Sequence, residues 1–287
     1  FLAPDAASVA GPLQVHLVQD QLLEDRNINK VFGGTGATFL GAKASLHAVK
    51  DVSFTIGRGE TLGLVGESGC GKTTVGRMIL KLEKTSSGDI VFAGESLVQA
   101  SAARMQALRR QIQVIFQDPY ASLNPRMTMG ETLMEPLVHS LGLSIKVAQD
   151  RVHELIDHVG LLRDVKDRYP HQLSGGQRQR IGIARALAFE PNLIVCDEPV
   201  SALDVSIQGQ IINLLSSLQK KLGVSYLFIA HDLAVVRHIS HRVIVMYRGQ
   251  IVETAACDTL YEKPLHPYTR ALLNAAPVPD PQIEKAR

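Results

Sequence analysis

The chain predicts an α/β protein: a parallel sheet between helices, a small antiparallel β part near the front, and a helical segment inserted in the core. Three observations predict it. Short apolar runs of strand length, 61-TLGLV-65, 112-IQVIF-116, 193-LIVCDEP-199 and 225-SYLFIAHD-232, alternate with helical stretches, as parallel strands joined by crossovers do. The alternating run 52-VSFTI-56 turns at 57-GRGE-60 and re-enters at once into 61–65. A turn-rich stretch, 118–136, is followed by 137–162 with apolar residues at helical spacing, which reads as the insertion.

In order along the chain, 1–26 reads as a linker or chain edge, because its first fourteen residues are rich in Ala, Pro and Gly. It has no initiator Met and no basic n-region of a secretory signal, so a segment of a longer or tandem polypeptide is an open expectation. Residues 33–46 read as a flexible excursion before the first firm strand. A helix from Thr73 to about Leu82 precedes a second piece of sheet, 89-DIVFAG-94, and a basic helix, 101–111, precedes a strand that ends on Gln117. The insertion closes near 169-YPHQ-172. A helix over 174–191 follows, with Ser174 as N-cap and Pro191 just past its end. The run 242-RVIVMYRGQIVE-253 reads as a final strand, and no apolar run approaches the length of a membrane span.

Composition excludes more than it selects. The 287 residues admit one large domain or two small ones, and a net charge of +2 with scattered basic residues gives no support for nucleic acid as a partner. Cys70, Cys196 and Cys257 are odd in number and lack C-x-x-C spacing, so neither a disulfide framework nor a zinc site is indicated.

Chemistry enters at 66-GESGCGKTTVGRM-78. It matches G-x-x-x-x-G-K-[ST] directly after a buried strand, the context in which a glycine-rich turn aims successive N–H groups and a helix N-terminus at phosphate oxygens. Gly66, Glu67, Ser68, Gly69, Cys70, Gly71, Lys72, Thr73 and Thr74 are the candidate nucleotide ligands; Lys72 would reach the terminal phosphates and Thr73 would ligate Mg²⁺. In a parallel sheet, ligands gather at the carboxyl ends of strands. Asp197 and Glu198 close one strand and suit Mg²⁺ binding and water polarisation respectively, although such a pair alone is more often a solvent-facing turn. Gln117 and His231 close two others; beside a triphosphate, Gln117 can contact Mg²⁺ and the attacking water, and His231 can hold the γ-phosphate, the water and Glu198. A second anion trap lies at 173-LSGGQ-177, where Ser174, Gly175, Gly176 and Gln177 open a helix. One chain with one phosphate loop does not need two traps, so the second serves the ATP of another molecule.

GESGCGKT, Gln117, LSGGQ, LIVCDE, 201-SALD-204 and His231, in this order, resemble the ATP-binding subunit of ABC transporters from about Asn27 to Asp280. The resemblance implies a P-loop NTPase (RecA-like) core over 27–265, with a helical subdomain at about 118–173 and the start of a C-terminal extension at 266–287. It implies hydrolysis of ATP with Mg²⁺ and head-to-tail closure with a second nucleotide-binding subunit, Asp204 lying in the loop that crosses the interface. It further implies two integral membrane permease subunits, an extracytoplasmic solute-binding protein reached through the complex, and a peripheral location on the cytoplasmic face of the cell membrane. The runs 117-QDPYASLNPRMTMGETLMEP-136 and 264-PLHPYTRALLNAAPVPDP-281 resemble the oligopeptide, dipeptide and nickel importer branch. Members of that branch often carry further cysteines beyond this point, in some cases binding an iron-sulfur cluster; the chain has none after Cys257, so a cluster is not supported, and truncation at Arg287 is an open expectation.

The family's adenine-stacking aromatic falls upstream of the phosphate loop. Phe32 is the candidate, Phe39 and His47 are rivals, and packing within the β part is the alternative. Tyr120, Leu123 and Met127 are expected either to form the cleft that receives a permease helix or to pack the insertion's own core. The alternative function is a soluble ABC ATPase of DNA repair or translation.

Overall fold

The computed structural model describes residues 21–33, 37–38, 41–42, 45–118 and 120–275. Its strands are β1 (Gln21–Phe32), β2 (Ala37–Thr38), β3 (Gly41–Ala42), β4 (Leu46–Gly57), β5 (Thr61–Val65), β6 (Ser87–Phe92), β7 (Glu95–Ser96), β8 (Ile112–Ile115), β9 (Leu193–Asp197), β10 (Ser225–Ala230), β11 (Arg242–Tyr247) and β12 (Gln250–Ala256). Its α-helices are α1 (Lys72–Ile79), α2 (Ala102–Gln111), α3 (Met129–Glu135), α4 (Ile145–His158), α5 (Gly175–Leu187), α6 (Val205–Leu222), α7 (Leu233–Ile239), α8 (Cys257–Glu262) and α9 (Pro267–Ala275).

The main sheet runs β12-β11-β5-β10-β9-β8, with β11, β5, β10, β9 and β8 mutually parallel and β12 antiparallel at the edge. A front sheet, β4-β1-β6-β7, is antiparallel. The main strands are apolar at consecutive positions because both their faces are covered. In β10, Tyr226 and Phe228 face one core while Leu227 and Ile229 face the other; in β9, Ile194 and Cys196 oppose Leu193 and Val195 in the same way. One core joins the main sheet to α5, α6, α7 and the 118–173 insertion, and the second joins it to α1 and the front sheet. Each fully buried large side chain contributes about 1.5–3 kcal/mol, so the central strands form a stiff platform whose carboxyl ends hold the site.

Several boundaries differ from the sequence expectation. Residues 21–26, assigned to the linker, are the first half of β1, and residues 1–20 lie outside the described residues. The strand was hidden because its period-2 pattern is broken: Leu22 and Leu23 are both buried, Asp25 is buried, Asn27 has φ 49°, and the β1–β4 register shifts four times. Within the expected excursion at 33–46, β2 and β3 pair with each other and Leu46 already belongs to β4. The turn-rich 118–136 ends in a helix, since Thr128 and Glu131 make a capping box that starts α3. The run 137–162 is not one helix either: a π-helical turn, Pro136–Ser140, and Gly142 at φ 71° separate α3 from α4. The final strand is two, because Arg248 and Gly249, with φ 48° and 87°, make the two-residue hairpin between β11 and β12.

The basic run at 178–180 is structural. Arg178 donates to the carbonyls of Pro170 and Leu173, and Arg180 donates to Val159 O and Gln210. Ser174 caps α5 with a reciprocal capping box to Gln177, at the position the sequence marked. Among the described residues no helix is long and apolar enough to cross a membrane.

Candidate functional site

Four neighbouring strands, β5, β10, β9 and β8, deliver the predicted residues at their carboxyl ends in a row: the 66–74 loop, His231, the Asp197–Glu198 pair, and Gln117. Such a row follows from parallel pairing, which puts every carboxyl end on the same side.

The loop is braced from two directions. A Cβ on Gly66 would lie 2.2 Å from Met246 O on β11, and one on Gly71 would lie 2.5 Å from Ala48 O on β4, so neither position accepts a side chain. Gly249 N donates to Cys70 O at 2.9 Å, which ties the β11–β12 hairpin to the loop. Lys72 is buried, and its ammonium donates to Gly66 O at 2.7 Å and Glu67 O at 2.9 Å, across the inside of the loop. Glu67, Ser68 and Gly69 are exposed at the rim. Cys70 is buried beneath them, and burial raises its thiol pKa, so the thiol stays neutral.

Thr73 Oγ1 donates to Asp197 Oδ1 at 3.0 Å, joining the start of α1 to the end of β9. Burial pushes the Asp197 carboxyl above its usual range, and the Thr73 hydrogen bond opposes that shift. A hydroxyl and a carboxylate oxygen form a hard donor set, and among the described residues no cluster of three or more His, Cys, Asp or Glu side chains could hold a metal alone. That set fits Mg²⁺, which takes one or two carboxylates together with substrate phosphates.

Glu198 has φ 49°, a left-handed conformation uncommon for a non-glycine residue and often found at functional turns. Its Oε2 is 3.1 Å from His231 Nδ1 and 3.4 Å from Gln117 Nε2. Three residues that sequence reasoning could place only at three separate strand ends therefore meet at one oxygen.

The 173–177 segment is arranged differently. Ser174 is exposed, and the segment's hydrogen bonds run between Ser174 and Gln177, come from Arg178 to the Leu173 and Ser174 carbonyls, or serve the turn from Pro170; none of them reaches the 66–74 loop. Gly176 instead packs against Ile207 of α6, and Asp204, exposed, precedes that helix without a side-chain cap bond. The two traps are separate within one chain.

Phe32 ends β1 opposite Leu46, two residues along β4 from the Ala48 that abuts Gly71, and Lys30 Nζ sits 4.6 Å from its ring centroid. His47 is exposed, with Nε2 3.2 Å from Asn29 Oδ1, and Phe39 lies outside the described residues. Of the expected docking residues, Leu123 is buried in the core shared with α3 and α4 and is no surface contact, whereas Tyr120 is 53 % exposed and Met127 half-buried. Leu123 turns inward because Arg185, itself mostly buried, donates to Ser122 O at 2.7 Å and holds the loop against α5. Sequence reasoning missed Tyr268 of α9, whose hydroxyl accepts a hydrogen bond from Glu67 N at 3.1 Å. No periodicity or spacing marks that contact.

A phosphate loop, a strand-end carboxylate pair and a polar side chain on each neighbouring strand define a P-loop nucleotide hydrolase. The chain belongs to the ABC transporter family: the family model described as "ABC transporter" matches residues 49–201, and that of the "Oligopeptide/dipeptide transporter, C-terminal region" matches 252–287. The second match begins inside β12 and takes in the 266–287 segment. The chain is 55 % identical over 251 residues to the oligopeptide transport ATP-binding protein OppF of Bacillus subtilis (strain 168), covering 87 % of this chain and 82 % of that one. It is 52 % identical over 269 residues to the glutathione import ATP-binding protein GsiA of Salmonella paratyphi A (strain ATCC 9150 / SARB42), covering 93 % of this chain and 43 % of GsiA. A dimeric post-hydrolysis structure of the ATP-binding cassette MJ0796, bound to ADP and Pi, superposes with TM-score 0.72 at 28 % identity, covering 82 % of this chain and 99 % of that one. These matches favour the transporter class over a soluble ATPase of DNA repair or translation.

Proposed function

We propose that the chain is the ATP-hydrolysing motor of an importer for peptides or peptide-like solutes. The observation that carries the reading is the meeting of Gln117, Glu198 and His231 at one carboxylate oxygen beside the Thr73–Asp197 pair. In this assignment Lys72 leaves the carbonyls of Gly66 and Glu67 for the β- and γ-phosphates, and Phe32 stacks on adenine. Thr73, Asp197 and Gln117 hold Mg²⁺, which when bound neutralises charge on the phosphate oxygens. Glu198 polarises the attacking water. His231, through Nδ1, fixes the Glu198 carboxylate, and Gln117 orients the water from the other side.

The exposed Ser174–Gln177 turn completes the site of a second nucleotide-binding subunit head to tail, with Asp204 beside that interface. The dimeric MJ0796 cassette and the transporter subunits OppF and GsiA support this assembly. The complex then contains two permease subunits that receive the motor's movement near Tyr120, and an extracytoplasmic solute-binding protein that selects cargo. The motor sits peripherally on the cytoplasmic face of the cell membrane. Purification of the tagged chain from its own cells tests this: integral membrane subunits should accompany it, and a peptide-loaded binding protein should raise ATP turnover in vesicles. Recovery with ribosomes or nucleic acid and no membrane subunit would overturn it.

A further inference from the structure

The C-terminal segment reaches back to the nucleotide site through one phenol. Tyr268 lies in the first turn of α9, inside the region matched by the second family model, and its hydroxyl accepts from the backbone N–H of Glu67, 201 residues earlier. That N–H belongs to the same peptide unit as Gly66 C=O, which accepts from the Lys72 ammonium. A trans peptide directs its C=O and N–H to opposite sides, so Tyr268 and Lys72 hold one plane from its two edges. The plane needs holding because Gly66, at φ 150°, has no Cβ to restrict its rotation.

The phenol is itself held. Its ring packs at a tilt of 41° against Tyr247 at the end of β11, with centroids 4.4 Å apart, and the two oxygens of Glu253 on β12 accept from the N–H groups of Leu265 and His266 at 2.8 and 3.0 Å. His266 Nδ1 in turn accepts from Tyr268 N at 3.1 Å, and Arg270 Nε donates to Pro264 O at 2.9 Å. Burial raises the phenol's pKa, so it stays protonated. The front of α9 is thus built onto the β11–β12 hairpin, which also carries the Met246 and Gly249 contacts to the loop.

We infer that Tyr268 is a positioning residue for the phosphate loop, by which the C-terminal segment sets the affinity for ATP without touching the nucleotide. The inference rests on the 66–74 loop being the ATP site. Because Tyr268 holds the backbone at the start of the phosphate loop through Glu67 N–H, a bond that stays when Lys72 turns to the phosphates, and does not act on Glu198, His231 or Gln117, its loss should weaken ground-state binding and leave the hydrolytic step alone.

Tyr268→Phe removes only the hydroxyl and keeps the ring on Tyr247. In the full chain, Kd and KM for MgATP should rise about 2–10-fold, the range for one hydrogen bond, with kcat within about 2-fold and the melting temperature of the wild type. Glu253→Gln, which leaves Tyr268 in place but loosens its support, should shift Kd in the same direction by less, and it carries the test if the Phe variant does not fold. Wild-type Kd and KM in a folded Tyr268→Phe variant, or a fall in kcat with KM unchanged, would overturn the inference. Lys72→Ala separates the two levels: if it also binds ATP normally, the loop is not the ATP site. If it abolishes binding while Tyr268→Phe changes nothing, only the role of Tyr268 fails.

Discussion

The two anion traps of this chain are both glycine-bearing turns at helix N-termini, yet one is enclosed by its own chain and the other faces away from it. The 66–74 loop is closed in by β4, β11 and α9, and its neighbours at the adjacent strand ends supply carboxylates, an imidazole and an amide. The 173–177 turn satisfies its own capping bonds, packs on α6 and leaves Ser174 exposed. A hydrolytic site needs donors on several sides of the γ-phosphate, and one chain supplies only some of them. On the proposed reading, the difference means that the chemistry is built within the chain and its completion is left to a second copy or a relative, so that turnover is tied to association.

The largest effect expected on the enclosed half is from Glu198→Gln. It keeps shape and the His231 contact but cannot polarise water, so ATP turnover should fall by about 10²–10⁴-fold while MgATP binding persists. A steady-state ATPase assay with a parallel equilibrium binding measurement checks it, and wild-type turnover would remove Glu198 from its role. On the outward half, Ser174→Arg should lower turnover by roughly 10²-fold and leave ATP binding to the separated chain intact. Mixed one to one with Lys72→Ala, it should recover measurable activity, because one composite site of each mixed dimer is whole. If Ser174→Arg alone turns over like the wild type, the head-to-tail arrangement is wrong.

The loop between the two halves offers an internal contrast. Leu123 is 4 % exposed and Tyr120 53 %. Leu123→Asp should therefore cost about 3 kcal/mol or more, seen as a lower denaturant midpoint. Tyr120→Asp should cost less than about 1 kcal/mol and keep basal ATPase while reducing transport in reconstituted vesicles. Equal destabilisation by the two would mean that Tyr120 packs instead of docking.

An effect on stability alone is expected outside both traps. Asp25 of β1 is fully buried with neither carboxylate oxygen hydrogen-bonded, and burial raises its pKa well above the usual range. The unfolded carboxyl ionises near pH ~3.9 while the folded one stays neutral. Stability from this group is therefore complete below that pH and is lost progressively as pH rises toward the folded pKa. Asp25→Val should raise stability at pH 7 by about 1–3 kcal/mol, flatten this part of the pH profile and leave turnover alone. An unchanged unfolding curve at pH 7 would show that Asp25 has a partner in solution.

What could be read before folding was local chemistry. The 66–73 spacing, the Ser174 cap and the apolar runs that become β5, β9 and β10 each depend on neighbours within a few residues, and each stands where the sequence placed it. The capping box Thr128–Glu131 was equally local and equally legible, but the glycine and prolines around it masked the start of α3. Convergence was decided only by tertiary structure. Nothing in the sequence separations of 81 and 33 residues brings Gln117 and His231 to one oxygen of Glu198; the pairing order of β8, β9 and β10 does. Likewise β1 escapes a period-2 search because its bulges and buried Asp25 break the alternation, and it is a strand because β4 and β6 pair with it on either side. Tyr268 reaches Glu67 for the same physical reason: side-chain chemistry is written residue by residue, whereas which residues meet depends on how sheets twist and stack, and those are properties of the whole chain.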